Sequence, residues 1–216
     1  SFEITDIPLI EYVASKGKPI ILSTGIAEIS DIELAIETCR KAGNNDITIL
    51  KCTSAYPADP SDANLLTIPD IKTRFGVKAG LSDHTMGIEG PVVAVVLGAT
   101  VIEKHFILDK SVGGPDAHFS LDEKEFTEMV KAVRIAEQMI GVIDYEMTEK
   151  KKKSRQFSRS LFVVKDVKAG EKITENNVRS IRPGFGMHPK YFPEIIGKQF
   201  KIDFEKGTPM SFEIIK

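Results

Sequence analysis

Residues 77–106 read VKAGLSDHTMGIEGPVVAVVLGATVIEKHF, and this stretch decides the fold. Its two ends, VKAGLSDH (77–84) and TVIEKHF (100–106), are short apolar runs that finish in polar clusters, which is the chemistry of buried strands. Between them Pro91 opens PVVAVVLGA. Proline suits the first turn of a helix, and a segment apolar all round predicts a helix buried on every side. A strand, a helix and a second strand in so little chain predict a parallel βαβ unit.

Working outward, the same alternation recurs. IILSTG (20–25) and ITILKCTS (47–54) read as two more strands. Ser30 and Asp31 read as the cap of a helix with Ile32, Leu34, Ala35 and Cys39 on its apolar face, closed by Gly43. Asp122 reads as the start of another, with Phe126, Met129, Val130 and Val133 at helical spacing. The fold class is therefore α/β. No GxGxxG or phosphate loop follows any strand, which weakens a doubly wound nucleotide-binding sheet. The polar residues gather where strands end, at Ser23-Thr24, Thr53-Ser54, Ser82-Asp83-His84 and Glu103-Lys104-His105, the face at which barrels place their active sites. A complete (β/α)8 barrel needs twice the strands found here. The expectation is the C-terminal half of a TIM barrel, entered at SFEI, a strand-like stub whose first residue is Ser1 and not Met.

Charge divides the chain. Residues 1–149 carry 13 Lys and Arg against 24 Asp and Glu, a net of −11, whereas residues 150–216 carry 16 against 7, a net of +9. Residues 1–147 form the expected half-barrel. TEKKKKSRQ (148–156) has no apolar residue and reads as a linker, Lys150 to Lys153 being its solvated face. Residues 157–216 hold short β-type runs (SLFVVKDV, VRSIRP, IIGKQFK, MSFEII) between turn signals and predict a small, mostly-β domain. No apolar run approaches the roughly 18 residues of a membrane span, so no membrane partner is expected. Two cysteines without a CxxC spacing predict a reducing, cytoplasmic setting. The basic domain lacks interleaved exposed aromatics and any nucleic-acid motif, so no nucleic-acid partner is expected.

His84 and His105 end consecutive strands, and neighbouring strands lie about 4.8 Å apart. They read either as a two-histidine divalent-metal site with open positions or as strand-end residues bonded to loops. Ser23, Thr24, Ser54 and Ser82, near Gly25 and Gly80, read as donors to a phosphate or carboxylate, or as turn hydroxyls. Asp116 in GGPDAH is a ligand contact or a turn aspartate. Glu3 shares a face with Ser1 if the stub is a strand, and a carboxylate buried there would need a partner. Tyr56 before Pro57 is a loop anchor or a ring for a sugar. Arg182 in IRPGFG is a turn charge or a contact.

Taken together, SFEI, ILSTG, LKCTSAYPAD, GLSDHT, VIEKHF, GGPD, RSLFVVKDVKAGE and RPGFG resemble the sialic acid (nonulosonic acid) synthase family. RKAGNND, LKCTSAYPA and SIRPGFGMHPKY are nearest to its pseudaminic-acid-forming branch. The resemblance runs from Ser1 to Lys216. It implies a (β/α)8 barrel followed by an antifreeze-like (SAF) domain. It also implies condensation of phosphoenolpyruvate with an N-acetylated deoxy-aldose, giving a nonulosonic acid and phosphate with a divalent metal (manganese, magnesium or cobalt). The N-acetylneuraminate- and legionaminate-forming branches, or an inactive piece of such an enzyme, are the alternatives.

Residue by residue, the resemblance implies that His84 and His105 are the metal ligands and that Ser1, Ser23 and Ser82 hold phosphoenolpyruvate. Ser54 stands where the neuraminate branch has an asparagine beside that ligand. Glu3, Tyr56 and Asp116 surround the acceptor sugar, and Arg182 reaches the partner subunit's site in a domain-swapped homodimer. Family members carry a further half-barrel upstream, with lysines for the phosphate and carboxylate. The 216 residues are thus expected to hold part of the active site and to be inactive alone.

Overall fold

The computed structural model describes all 216 residues. They divide into two compact units, Ser1–Val142 and Ile143–Lys216.

Unit one is built on a four-stranded sheet in the order β1 (Ile20–Ser23), β2 (Ile47–Cys52), β3 (Lys78–Asp83), β4 (Ile102–Lys104), every pair parallel. Each crossover is a helix: α2 (Ile29–Lys41), α3 (Thr67–Phe75) and α4 (Glu89–Val96). An additional helix, α1 (Ile7–Ala14), precedes β1, and α5 (Glu123–Ile140) follows β4. This is a parallel half-barrel, as the alternation of strand and helix predicts.

Register assigns the two faces. The row Leu22–Ile49–Ala79 and the row Leu81–Ile102 point at the helices and join Ile32, Ala35, Ile36, Ile68 and Ile71 in one core. The opposite face carries Ser23–Leu50–Gly80 and, nearer the strand ends, Cys52–Ser82–Glu103. Glycine is required at position 80, because a Cβ there would stand 2.5 Å from Leu50 Cδ2 and 2.5 Å from the Val101 carbonyl oxygen. Each parallel strand thus delivers its next polar residue to the same end of the sheet.

Local chemistry explains the helices and corrects several expectations. The stub at residues 2–5 is a 3-10 turn, not a strand. The cap of α2 lies before Ser30, at Glu28, whose N–H donates to the Asp31 carboxylate at 2.9 Å. α4 is not buried all round: Pro91, Ala94 and Val95 are buried against the sheet and α5, but Val93 and Val96 on its outer side are exposed. α5 starts at Asp122 as expected, with a reciprocal pair of bonds between Asp122 and Glu125.

Unit two is held by β5 (Ser160–Val163) paired antiparallel with β6 (Val178–Ile181), together with isolated bridges such as Val167–Phe204 and Phe200–Ile215. Leu161, Val163, Ile173, Val178, Ile195 and Phe200 fill its core. A short helix, α7 (Phe192–Ile195), interrupts the later β-type text. Residues expected to be a linker form helix α6 (Glu149–Arg155). Thr148 caps it by accepting from the Lys151 N–H, and Glu149–Lys152 pairs along it, so a segment without apolar residues still coils.

Candidate active site at the strand ends

β3 and β4 end one residue before His84 and His105, and parallel pairing carries both imidazoles to the same end of the sheet. Their ring centroids are 5.1 Å apart, in an edge-to-face arrangement. His84 is buried, and its Nδ1 lies 2.9 Å from the Thr53 carbonyl oxygen. A carbonyl only accepts, so in the neutral ring Nδ1 carries the hydrogen and Nε2 keeps its lone pair. His105 is more open, with Nδ1 3.6 Å from Asp116 Oδ2. Its position is fixed by the Leu121 N–H donating to the His105 carbonyl at 2.9 Å. The His84 ring thus has the hydrogen-bonded oxygen behind Nδ1 by which metal-bound histidines are held in one tautomer, whereas Asp116 faces the His105 Nδ1 without a hydrogen bond at 3.6 Å.

This donor set fits a divalent ion. No three or more His, Cys, Asp or Glu side chains form a metal-holding cluster. Two imidazoles alone would leave most coordination positions to substrate or water, the open arrangement that Lewis-acid chemistry needs.

Aromatic rings wall the pair. The Tyr56 centroid is 4.4 Å from His84 and 6.0 Å from His105, while buried Phe119 is 5.0 Å from His105. The loop carrying Tyr56 is fastened by the Ala58 N–H donating to the His84 carbonyl at 2.9 Å.

The hydroxyls lie on the neighbouring strand ends. Ser1 Oγ and Ser54 Oγ are 2.9 Å apart. Ser82 donates to Glu103 Oε1 at 2.7 Å. Cys52 sits among them: burial alone would raise its thiol, but contacts with His84, Ser82 and Ser54 bring it below its ordinary value. The same contact with Cys52 raises the His84 imidazole, with burial opposing and the Thr53 carbonyl assisting. Gly25 is what lets the group close. A Cβ there would overlap Ser54 Oγ and come within 2.9 Å of Ser1 Oγ and 3.0 Å of Cys52 Sγ. Ser23 shares with Ser1, Glu3 and Glu103 the wall of a cavity of about 320 Å³.

Tyr56, His84, His105 and Asp116 thus come together, as do Ser1, Ser54 and Ser82. Glu3 lines the same cavity from a 3-10 turn and not from the expected strand, with its side chain 71% exposed and not buried. Arg182 belongs to the second unit, exposed just past β6. Glu103 was missed as a site residue. Its signal was its register with Ser82, two residues before His105 on the same face.

The fold and these strand ends define a parallel α/β half-barrel with a site at the C-terminal ends of its strands, followed by a small β-containing unit. The NeuB family model matches residues 1–145 and the SAF domain model residues 158–213. The chain belongs to the NeuB family, the sialic acid synthase family its motifs resemble. It is 48% identical to a pseudaminic acid synthase of Helicobacter pylori, aligning all of this chain with 64% of that protein. It is 35% identical to an N,N'-diacetyllegionaminic acid synthase of Legionella pneumophila, covering 100% of this chain and 62% of that one. Among solved structures, the spore coat polysaccharide biosynthesis protein spsE of Bacillus subtilis aligns over 100% of this chain and 66% of its own, with 36% identity and a TM-score of 0.63. The chain thus spans less than two thirds of the length of these curated relatives.

Proposed function

We propose that the protein to which these residues belong condenses phosphoenolpyruvate with an N-acetylated deoxy-aldose, forming pseudaminic acid or a close nonulosonic acid and releasing phosphate. The observation that carries this reading is the edge-to-face pair His84–His105, with Tyr56 against it, at the same strand ends as the serine hydroxyls. The 48% identity to a pseudaminic acid synthase favours that product over legionaminic acid, for which the likeness is 35%.

In this reading Nε2 of His84 and of His105 holds a divalent manganese, magnesium or cobalt ion. When bound, the ion supplies Lewis-acid polarisation of the sugar's aldehyde oxygen. Thr53 keeps His84 in the binding tautomer, and Asp116 faces the Nδ1 side of His105. Ser1, Ser23, Ser54 and Ser82 donate to the phosphate and carboxylate oxygens of phosphoenolpyruvate, whose oxygens compete with Glu103 for the Ser82 hydroxyl hydrogen. Tyr56 and Phe119 offer apolar faces that exclude water from the reacting carbons. Glu3, Tyr56 and Asp116 orient the acceptor, and Arg182, from the second unit of a partner subunit in a domain-swapped homodimer, donates to its N-acetyl oxygen.

No helix is long and apolar enough to cross a membrane. Two cysteines left free as thiols suit a reducing compartment, and we place the enzyme in the cytoplasm. The test is turnover of the intact protein with phosphoenolpyruvate and a panel of N-acetylated aldoses. One phosphate released per nonulosonic acid formed, fastest with the deoxy-aldose precursor of pseudaminic acid, is expected. No phosphate release with any aldose contradicts the proposal.

A further inference from the structure

Behind the two histidines, on the helix-facing side of the sheet, Asp83 and Lys104 form a buried ion pair. Lys104 Nζ lies 2.6 Å from Asp83 Oδ2, and the two side chains are 1% and 3% exposed. They are register partners, the last residues of β3 and β4, and each immediately precedes one of the histidines. Successive side chains alternate across a sheet, so the ion pair faces α4 while the imidazoles face the ligand side.

Both side chains have further partners. Asp83 Oδ1 accepts from the Thr85 N–H at 3.0 Å and from its hydroxyl at 2.8 Å, and Lys104 Nζ also donates to the Thr85 carbonyl at 2.6 Å. Gly90 in α4 closes over it; a Cβ there would come 3.1 Å from both Asp83 Oδ2 and Thr85 Oγ1. The residues on both sides of His84 are therefore tied to Lys104, the neighbour of His105, one through its carboxylate and the other through its carbonyl. A buried ion pair is a poor source of net stability, because desolvating two charges offsets their attraction and a packed apolar pair often does as well. An apolar pair would not tie the ends of two strands at a fixed spacing, where their ladder hydrogen bonds run out.

We propose that Asp83 and Lys104 are positioning residues: their ion pair sets the spacing and tilt of His84 and His105 so that both Nε2 atoms can address one divalent cation. The cation part of this inference rests on the proposed function; the spacing part does not.

The test uses histidine-labelled protein, whose four histidines give few ring signals, and two readouts. One is the nuclear Overhauser effect between His84 and His105 ring protons without metal. The other is Co²⁺ affinity from visible absorption. The double variant D83N/K104Q replaces the ion pair by a neutral hydrogen-bonded pair. It is expected to lose the ring-to-ring effect and to bind Co²⁺ about 10- to 100-fold more weakly, the size seen when outer-shell partners of metal ligands are changed. Thr85→Val, which keeps side-chain shape but removes one bond to Asp83, is expected to weaken Co²⁺ in the same direction by less. A folded double variant with the ring contact and Co²⁺ affinity of the parent overturns the proposal. If the double variant does not fold, Thr85→Val decides by the same two readouts, and no change in either overturns the proposal. A parent with the ring contact but no Co²⁺ binding contradicts the metal reading instead, and leaves positioning to be judged on the ring contact.

Discussion

The imidazoles of His84 and His105 stand edge to face with centroids 5.1 Å apart and planes at 71°. Each turns Nδ1 toward an oxygen, the Thr53 carbonyl for His84 and the Asp116 carboxylate for His105. Neither Nε2 is engaged in a hydrogen bond within the chain, and the chemistry proposed for the site depends on both addressing one ligand.

Removing either ring tests it first. His84→Ala and His105→Ala are each expected to weaken Mn²⁺ binding by more than the roughly 10- to 100-fold that outer-shell changes cost. Calorimetric titration checks this. An unchanged affinity in either variant contradicts a shared ion.

Gly25→Ala acts first on the hydroxyl cluster. Its methyl would displace Ser54 and crowd Ser1 and Cys52. A lost hydrogen bond to a charged ligand is worth about 1.5–3 kcal/mol, so phosphoenolpyruvate should bind roughly 10- to 100-fold more weakly. Metal affinity should fall by less, because the His84 ring is held by the Thr53 carbonyl and meets the crowded cluster only through Cys52. Equal loss of both ligands would show that the two halves of the site are not separable.

The pH dependence has two opposite signs. Contact with Cys52 raises the His84 imidazole above its ordinary value of 6.5. A raised folded-state value stabilises the metal-free protein fully below 6.5, and that contribution disappears as pH rises through the folded value. Metal binding needs the neutral ring, so affinity for Mn²⁺ should rise over the same interval. Urea unfolding with chelator present should show stability falling with pH, and His84→Gln should flatten the profile. A parent profile already flat there would contradict the His84–Cys52 coupling.

Arg182→Ala should raise the KM for the acceptor sugar strongly and leave phosphoenolpyruvate binding nearly unchanged, since the proposed contact is to the sugar. Mixing this variant with His84→Ala should restore some activity, because mixed dimers regain one good site. No recovery, with subunit exchange shown, would mean that Arg182 acts within its own chain or not at all.

The strands were legible because each is a short, largely apolar run between turn signals, β-branched in three of the four, as in Ile47–Cys52. Residues 2–5 misled because S-F-E-I alternates like a strand, yet the Ile4 and Asp6 N–H groups donate back to Ser1 and Glu3 carbonyls. α1 was missed although its signal was present: Asp6 accepts from the Leu9 N–H, and Pro8 sits in the first turn. α6 was hidden by its lack of an apolar face, the main pattern by which helices are read. At the site, spacing brought out the two histidines but not Glu103 or the Asp83–Lys104 pair. Those become visible only when register shows which residues face each other across β3 and β4.

The most direct measurement is ¹⁵N imidazole NMR of the histidine-labelled protein with ¹¹³Cd²⁺ as the bound ion. The predicted result is scalar coupling from one cadmium to Nε2 of both His84 and His105, with Nδ1 of His84 still protonated toward Thr53. Coupling to one ring only, to either Nδ1, or to neither would contradict a shared divalent ion at the strand ends.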